Sequence, residues 1–365
     1  MGTIFGYSDI ESEVWCITQE KRINVMTEAE IREYEQTRLR VKYNNSWPSE
    51  KWISPLQEEL LAAMDKVGLK QVFYPMALNE SRAVNTLFED AELNRLLSTL
   101  LDLYDELPLR PDAAFDVAWR ALEIVIMFYF KNYDKQVYND KKASTEEKIK
   151  RICNAVFESQ LTANKKLMDV FNRLIGDNVS WSVLHYIVAR MFLPGELQVK
   201  TQHDYVSARC REILGVDMYD DIKTKYVVDD NLTADNHRKA ERLLWLIIKG
   251  MPIKLGAHSY KVLGLQERVT YVLSGILYSS RCERFHGDFF SPLKSDRSTL
   301  QTYYGQYWLL TVSYMFFWMV VQKYLEKKGV EPFFTLDDLA ECVNKTIDAT
   351  TAVMIKNKYG TEMVC

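Results

Sequence analysis

The apolar residues of this chain recur mostly at spacings of three and four, which is the period of an amphipathic helix. After residue 30 no strong alternating run predicts a strand. The sequence therefore predicts an all-α fold. The predicted helices cover residues 56–67, 83–104, 112–133, 144–163, 164–175, 180–192, 204–214, 234–249, 264–285 and 298–328, and a last amphipathic helix follows Thr335.

The prolines at 108 and 111 mark the clearest boundary, because paired prolines bias the chain away from helix. Residues 1–110 are predicted to form an N-terminal extension that is mostly helical. Within it we expect a small hairpin over residues 13–26, and Thr27 and Glu30 have the spacing of a helix-starting capping box. Residues 111–330 are predicted to form the main helical domain, and residues 331–365 a C-terminal amphipathic helix that packs on it.

Residues 298–322 carry no charge, and Arg297 and Lys323 flank them. The segment is long enough to span a bilayer, but several polar residues interrupt it. Ser298 and Gln301 have the spacing of a capping box, and Gly329 follows two lysines at the other end, as in helices of water-soluble proteins. We therefore predict a buried core helix, with a membrane span as the alternative, and no membrane partner.

Composition narrows the classes of function. The chain has 365 residues, 47% of them apolar and 26% charged, and a net charge of −4. This charge argues against a broad basic surface that coats nucleic acid. It allows a local site that binds a few phosphates. The six cysteines lack zinc-ligand spacing, so we expect free thiols and neither metal nor cofactor. The first ten residues lack the apolar core of a signal peptide, so the expected location is cytoplasmic.

Candidate chemistry lies at the end of the predicted helix 264–285, where Arg281 is followed by His286 and Gly287. On an unbroken helix, five steps of about 100° leave the two side chains roughly 140° apart. Gly287 has the position of a C-terminal capping glycine, so the last turn can reorient. A histidine at a helix C-terminus favours its protonated form, and arginine can hold phosphate oxygens in a bidentate way. RNA supplies its own nucleophile, the 2′-hydroxyl, so this chemistry needs no metal. The alternative is an ordinary helix end with a surface arginine.

The segment 278–287, Tyr-Ser-Ser-Arg-Cys-Glu-Arg-Phe-His-Gly, resembles the signature of HEPN domains. In that signature an apolar helix leads into an arginine, a polar residue, a few variable positions and His-Gly. A second element agrees, because Trp119 and the Leu122-Glu123 pair resemble an early HEPN helix that faces the motif. The resemblance covers roughly residues 111–328, with a large insertion in the middle, and implies a HEPN-like helical bundle.

The resemblance implies a metal-independent endoribonuclease, in the setting of a toxin or an antiviral defence factor. Arg281 and His286 would be catalytic, and Glu123 would orient one of them, with an ordinary carboxylate on the helix surface as the alternative. Arg284 and Cys282 would contact the RNA, Arg284 at a second phosphate. The alternatives are a solvated charge for Arg284 and a small semi-buried residue for Cys282. Two copies would form a twofold homodimer with a composite site, and an antitoxin or another protein could be a partner.

One position departs from the signature. Cys282 stands where the family usually has Asn, Asp or His, and a thiol is a poorer hydrogen-bonding group. This favours the alternative of a non-catalytic HEPN-like protein that binds a partner or a nucleotide.

Two further groups are predicted to be structural. A basic cluster at Lys141, Lys142, Lys148, Lys150 and Arg151 alternates with glutamates, which favours a solvated helix face. The aromatic residues Tyr303, Tyr304, Tyr307 and Trp308 favour core packing over base stacking.

Overall fold

The structure is a computed structural model that describes residues 41, 53–140, 144–192, 202–228, 231–285, 291–294 and 298–355, without the side chains of 202–205, 283–285 and 294. Within these ranges the fold is all-α, with one short hairpin. The helices are α1 (Pro55–Lys66), α2 (Glu80–Glu89), α3 (Ala91–Asp105), α4 (Pro111–Tyr133), α5 (Lys135–Asn139), α6 (145–163), α7 (165–177), α8 (Trp181–Phe192), α9 (Gln202–Leu214), α10 (Val216–Tyr226), α11 (Ala234–Lys249), α12 (265–285), α13 (Leu300–Lys328) and α14 (Leu336–Met354).

Three of these helices contain wider π-helical turns, and a 3-10 turn at Pro292–Lys294 precedes α13. The π turns lie at Cys153–Phe157 in α6, at Arg173–Asp177 in α7 and at Tyr271–Tyr278 in α12. The hairpin pairs β1 (Ile253–Leu255) with β2 (His258–Tyr260) in antiparallel register, Ile253 opposite Tyr260. Gly256, in the connecting turn, has a φ of 59°, which favours glycine.

The predicted all-α fold is confirmed, with four local corrections, one of which is the unpredicted five-residue helix α5. The helix predicted over 83–104 is two helices, because Asp90 ends α2 and caps α3 through the backbone N–H of Leu93. Helix α10 was not predicted, since five charged residues obscure the spacing of Met218, Ile222 and Tyr226. The hairpin was missed because three-residue strands are too short to show an alternating pattern.

Helix α13 forms the centre of the molecule, and it packs most extensively against α4 and also against α14 and α8. Every residue from Tyr307 to Val321 is buried. In the part of the chain that is described, no helix has the length and apolar content needed to cross a bilayer. The buried core helix predicted for 298–328 is therefore confirmed. Its cap is Thr299 rather than Ser298, and it ends at Gly329, whose φ is 72°.

The polar ends of the aromatic residues on α13 are satisfied by backbone carbonyls. The hydroxyls of Tyr303 and Tyr307 donate to the carbonyls of Leu109 (3.0 Å) and Pro108 (2.9 Å). The Tyr304 hydroxyl donates to Asn178 O at 2.6 Å, and Trp308 Nε1 donates to Leu174 O at 2.8 Å. The predicted core packing of these aromatic residues is confirmed. The hydroxyls of Tyr303 and Tyr307 connect α13 to Pro108 and Leu109, and the other two residues connect it to residues 174 and 178.

Buried side chains from Leu56 to Met354 belong to one hydrophobic cluster, so all three predicted segments contribute to it. The division at 110 and 330 stays a prediction. The expected hairpin over residues 13–26 and the capping box of Thr27 and Glu30 lie outside the described residues.

Candidate functional site

Helix α12 carries Arg281 towards the surface from inside the core. Its middle part, Tyr271–Tyr278, is π-helical, and residues 271–277 are all buried. Wider turns change the angular position of every residue that follows, so a period of 3.6 does not place Arg281 correctly. The π-helical part ends at Tyr278, and Ser279–Phe285 continue as α-helix. π-helical segments are rare, and they often lie at functional sites.

Helix α4 supplies the opposite side of the site. Pro111 fits the first helical position, where no N–H is needed. Asp112 is completely buried in the first turn, where Arg110 Nε donates to it at 3.0 Å. The apolar residues that recur at helical spacing along α4, Trp119 among them, form a buried stripe. Glu123 lies at the edge of that stripe, with 29% of its side chain exposed.

Two contacts join α4 to α12. The rings of Trp119 and Tyr278 lie 6.0 Å apart, inclined at 30°. The carboxylate Oε2 of Glu123 lies 3.7 Å from Nη2 of Arg281. Trp119 and Glu123 are four residues apart on α4, and Tyr278 and Arg281 are three apart on α12. The two residues on each helix therefore lie on the same face of it. The tertiary structure thus brings together the two sequence elements that carry the HEPN resemblance.

The Glu123–Arg281 pair is only half-buried, since 25% of the arginine side chain is exposed. An ion pair in such a position contributes about 0–1 kcal/mol to stability. Its main effect is therefore to restrict where the guanidinium points. An oriented and accessible guanidinium can bind an anionic group such as a phosphate.

A second arginine supports the site helix, and the sequence analysis missed it. Arg209 on α9 is buried, and its Nη1 donates to the Ser279 hydroxyl at 2.7 Å while its Nε donates to Glu146 at 2.6 Å. Its guanidinium also lies 4.6 Å from the centre of the Tyr278 ring. The sequence contained one signal for this role, because Arg209 lies between Val206 and Cys210 on the apolar face of its helix, where a buried charge needs a partner.

Cys282 is buried, with 4% of the residue exposed, and its thiol interacts with the Tyr278 hydroxyl. Burial raises the pKa of Tyr278, and the neighbouring Cys282 raises it further. Tyr278 therefore stays protonated at neutral pH and packs between Trp119, Arg209 and Cys282. Contact between Cys282 and RNA stays a prediction.

The remaining predicted site residues cannot be placed. His286 and Gly287 lie outside the described residues, as does the side chain of Arg284. In the basic cluster, Arg151 Nη2 donates to Glu147 at 2.7 Å and Lys150 pairs with Glu212. These ion pairs fit the predicted solvated helix face.

A group of side chains that can hold a metal ion lies on other helices, at His185, His237 and Glu241. It is on α8 and α11, whereas the arginine site is built from α4, α9 and α12. The two histidines are 52 positions apart along the chain, so only the tertiary structure brings them together.

Comparisons of this chain with protein-family models, with curated proteins and with solved structures gave no significant match. The likeness to HEPN domains therefore rests on the residues quoted from the sequence.

Proposed function

We propose that this protein is a metal-independent endoribonuclease of the HEPN type. The observation that carries the proposal is the Glu123–Arg281 contact, with the Trp119–Tyr278 contact beside it. The resemblance pairs these two segments, which lie more than 150 positions apart in the sequence. Their meeting places a partly exposed arginine beside a carboxylate.

In the proposed reaction the 2′-hydroxyl oxygen of a nucleotide attacks the adjacent phosphorus atom. The bond from phosphorus to the 5′-oxygen of the next nucleotide breaks. The products are a 2′,3′-cyclic phosphate and a 5′-hydroxyl. Arg281 stabilises the negative charge that develops on the nonbridging oxygens. His286 transfers a proton, either from the 2′-hydroxyl or to the leaving 5′-oxygen.

Glu123 acts through Arg281 and is a positioning residue in this scheme. Its carboxylate limits the guanidinium to orientations near α4. Arg209 on α9 acts less directly. It contacts Ser279 and the Tyr278 ring, and so holds the helix that carries Arg281. Arg284 would contact a second phosphate of the RNA.

One histidine cannot readily serve as base and acid in the same step. We therefore propose that a second copy of the chain supplies a second Arg-His pair across a twofold axis. The biological setting proposed with it is a toxin or a defence factor, with an antitoxin as a further partner.

The test is cleavage of a labelled RNA in the presence of EDTA by the unmodified protein and by Arg281→Ala and His286→Ala. Each substitution should lower the cleavage rate by at least about 100-fold, because each removes a group that acts in the transition state. The product should carry a 2′,3′-cyclic phosphate, identified by mass spectrometry. An RNA with a 2′-deoxynucleotide at the cleaved position should remain intact.

The matched control is Arg95→Ala, which removes the same charge from an exposed position on α3 and should leave cleavage unchanged. Glu123→Gln should lower the rate by about 10-fold, since it only loosens Arg281. The double variant Glu123→Gln with Arg281→Ala should cleave RNA at almost the same rate as Arg281→Ala alone. Equal cleavage by the unmodified protein, Arg281→Ala and His286→Ala would end the proposal.

The buried Cys282 favours a second candidate, a non-catalytic HEPN-like protein that binds a partner or a nucleotide. In this case the unmodified protein would bind RNA or nucleotide without cleaving it. Binding would be weaker in Arg281→Ala, and Cys282→Asn or Cys282→Asp would be the variants in which to look for restored cleavage.

A further inference from the structure

Two histidines and a glutamate from α8 and α11 converge on one point. Nδ1 of His185 lies 2.6 Å from Oε1 of Glu241, and Nε2 of His237 lies 3.5 Å from the same oxygen. The two imidazole rings are stacked, with their centres 3.8 Å apart. One atom from each of the three side chains lies within 4.8 Å of the other two.

The burial of Glu241 is unusual for a carboxylate. Only 9% of its side chain is exposed. Within the described part of the chain its carboxylate contacts the two imidazoles and forms no ion pair with a lysine or an arginine. Buried charges in proteins are paired with an opposite charge or coordinate a metal, because an isolated buried charge is very costly. A cation bound at this point would neutralise the negative charge of the Glu241 carboxylate.

The spacing of the three atoms is close to that of a zinc site. Ligand atoms bound tetrahedrally at about 2.0–2.1 Å are separated by about 3.3 Å. The distance from His237 to Glu241 is already 3.5 Å, and that from His185 to Glu241 must lengthen. An imidazole nitrogen binds a metal through a lone pair in the ring plane, so the His185 ring must also turn out of its stacked position. The side chain of His185 is 61% exposed, which gives it room to turn.

We propose that His185, His237 and Glu241 form a binding site for a divalent transition-metal ion such as Zn²⁺, separate from the arginine site. Two imidazoles and one carboxylate are a known zinc ligand set, and the fourth position would face solvent beside His185. His237 Nε2 lies 2.9 Å from the His185 carbonyl oxygen, so a bound ion replaces that hydrogen bond. The imidazole proton of His237 then resides on Nδ1. This proposal does not depend on the nuclease function.

The ion would join α8 to α11, which already meet through the rings of Trp181 and Trp245, 5.9 Å apart. A ligand that binds only the folded protein raises its stability. Zn²⁺ should therefore raise the melting temperature of the full chain.

The experiment is titration of the metal-free full chain with Zn²⁺, followed by calorimetry, and with Co²⁺, followed by visible absorption. The unmodified protein should bind one equivalent, and its Co²⁺ form should show the intense bands of tetrahedral coordination. His185→Ala, which removes an exposed side chain, should weaken binding by at least about 100-fold. Glu241→Gln keeps the size of the buried side chain and should have a similar effect.

The control is His258→Ala. His258 is also exposed and also bonds to a carboxylate, with its Nδ1 2.6 Å from Asp221, but it lies outside the proposed site. Zn²⁺ should raise the melting temperature of this control and of the unmodified protein, and leave that of His185→Ala unchanged. Undiminished binding in His185→Ala or Glu241→Gln would overturn the proposal, as would equal losses in all three variants. Absence of binding by the unmodified protein would show a hydrogen-bonded network only.

Discussion

At the scale of single residues, buried polar side chains determine how the helices meet. Arg209 holds the site helix through Ser279 and the Tyr278 ring, and Glu123 restricts Arg281. Asp90 has a comparable function away from the site. It caps α3, and it accepts hydrogen bonds from the Tyr324 hydroxyl (2.6 Å) and from Lys328 Nζ (2.7 Å) near the end of α13.

Asp90→Asn should lower the free energy of unfolding by about 1–3 kcal/mol, because it removes charge-assisted bonds from a buried carboxylate. Burial alone would raise the pKa of Asp90, but the bonds from Lys328 and Tyr324 lower it below its ordinary value. A lowered pKa in the folded state gives stability that is present at neutral pH. That stability is lost as the pH falls below about 4.

The measurement is urea unfolding between neutral and acidic pH. The unmodified protein should lose stability with acid more steeply than Asp90→Asn. The control is Asp102→Asn, an exposed position on the same helix that makes none of these contacts. If Asp90→Asn and Asp102→Asn had the same stability at neutral pH, the bonds of Asp90 would not contribute.

At the scale of helices, α13 approaches α8 closely at Gly305. A Cβ atom at this position would lie 2.6 Å from the Ser182 hydroxyl oxygen and 3.2 Å from that of Ser180. The Ser182 hydroxyl donates to Gln301 O on α13 at 3.1 Å. Glycine therefore allows a hydrogen bond between the two helices that a larger residue would displace.

Gly305→Ala should destabilise the protein even though alanine is the better helix former. Alanine gains about 1 kcal/mol in helix propensity, whereas overpacking and loss of the Ser182 bond cost about 1–3 kcal/mol. In a Ser182→Ala background the clash with the hydroxyl is absent, so Gly305→Ala should be neutral or stabilising. Thermal unfolding of the unmodified protein, the two single variants and the double variant measures this coupling. If Gly305→Ala changed stability equally with and without Ser182→Ala, the Ser182 hydroxyl would not be the source of the strain.

At the scale of the whole molecule, the described helices share one hydrophobic cluster around α13. Arg281 and Glu123 lie at its edge, with 25% and 29% of their side chains exposed. A composite site would require this association, since each copy carries a single Arg281-His286 pair.

The chain should therefore form a homodimer with a mass of twice 42.7 kDa, about 85 kDa. Light scattering coupled to size-exclusion chromatography measures this directly. Arg281→Ala and His286→Ala should have the same mass as the unmodified protein if they affect chemistry alone. A monomer at concentrations that cleave RNA would rule out a composite site and leave the fold unaffected.

Most helices could be predicted from the sequence, because local periodicity and caps determine them. Thr335 and Thr233 cap α14 and α11, and the glycines that follow α11 and α13 end those helices. The short hairpin and α10 escaped prediction, since the first is too short for a pattern and the second is masked by charge. The π turn in α12 was not predicted, because its residues 271–278 continue the apolar pattern of an ordinary helix.

The sequence by itself determined the helical class, the presence of a buried core helix within residues 298–328 and the chemical identity of Arg281 as a candidate. These properties follow from periodicity, charge and residue type, which are local. The tertiary structure alone decided that Glu123 faces Arg281, that Arg209 supports Tyr278 and that His185 meets His237 and Glu241. Such contacts join residues far apart in the chain, and they depend on how helices pack and where a π turn shifts the register.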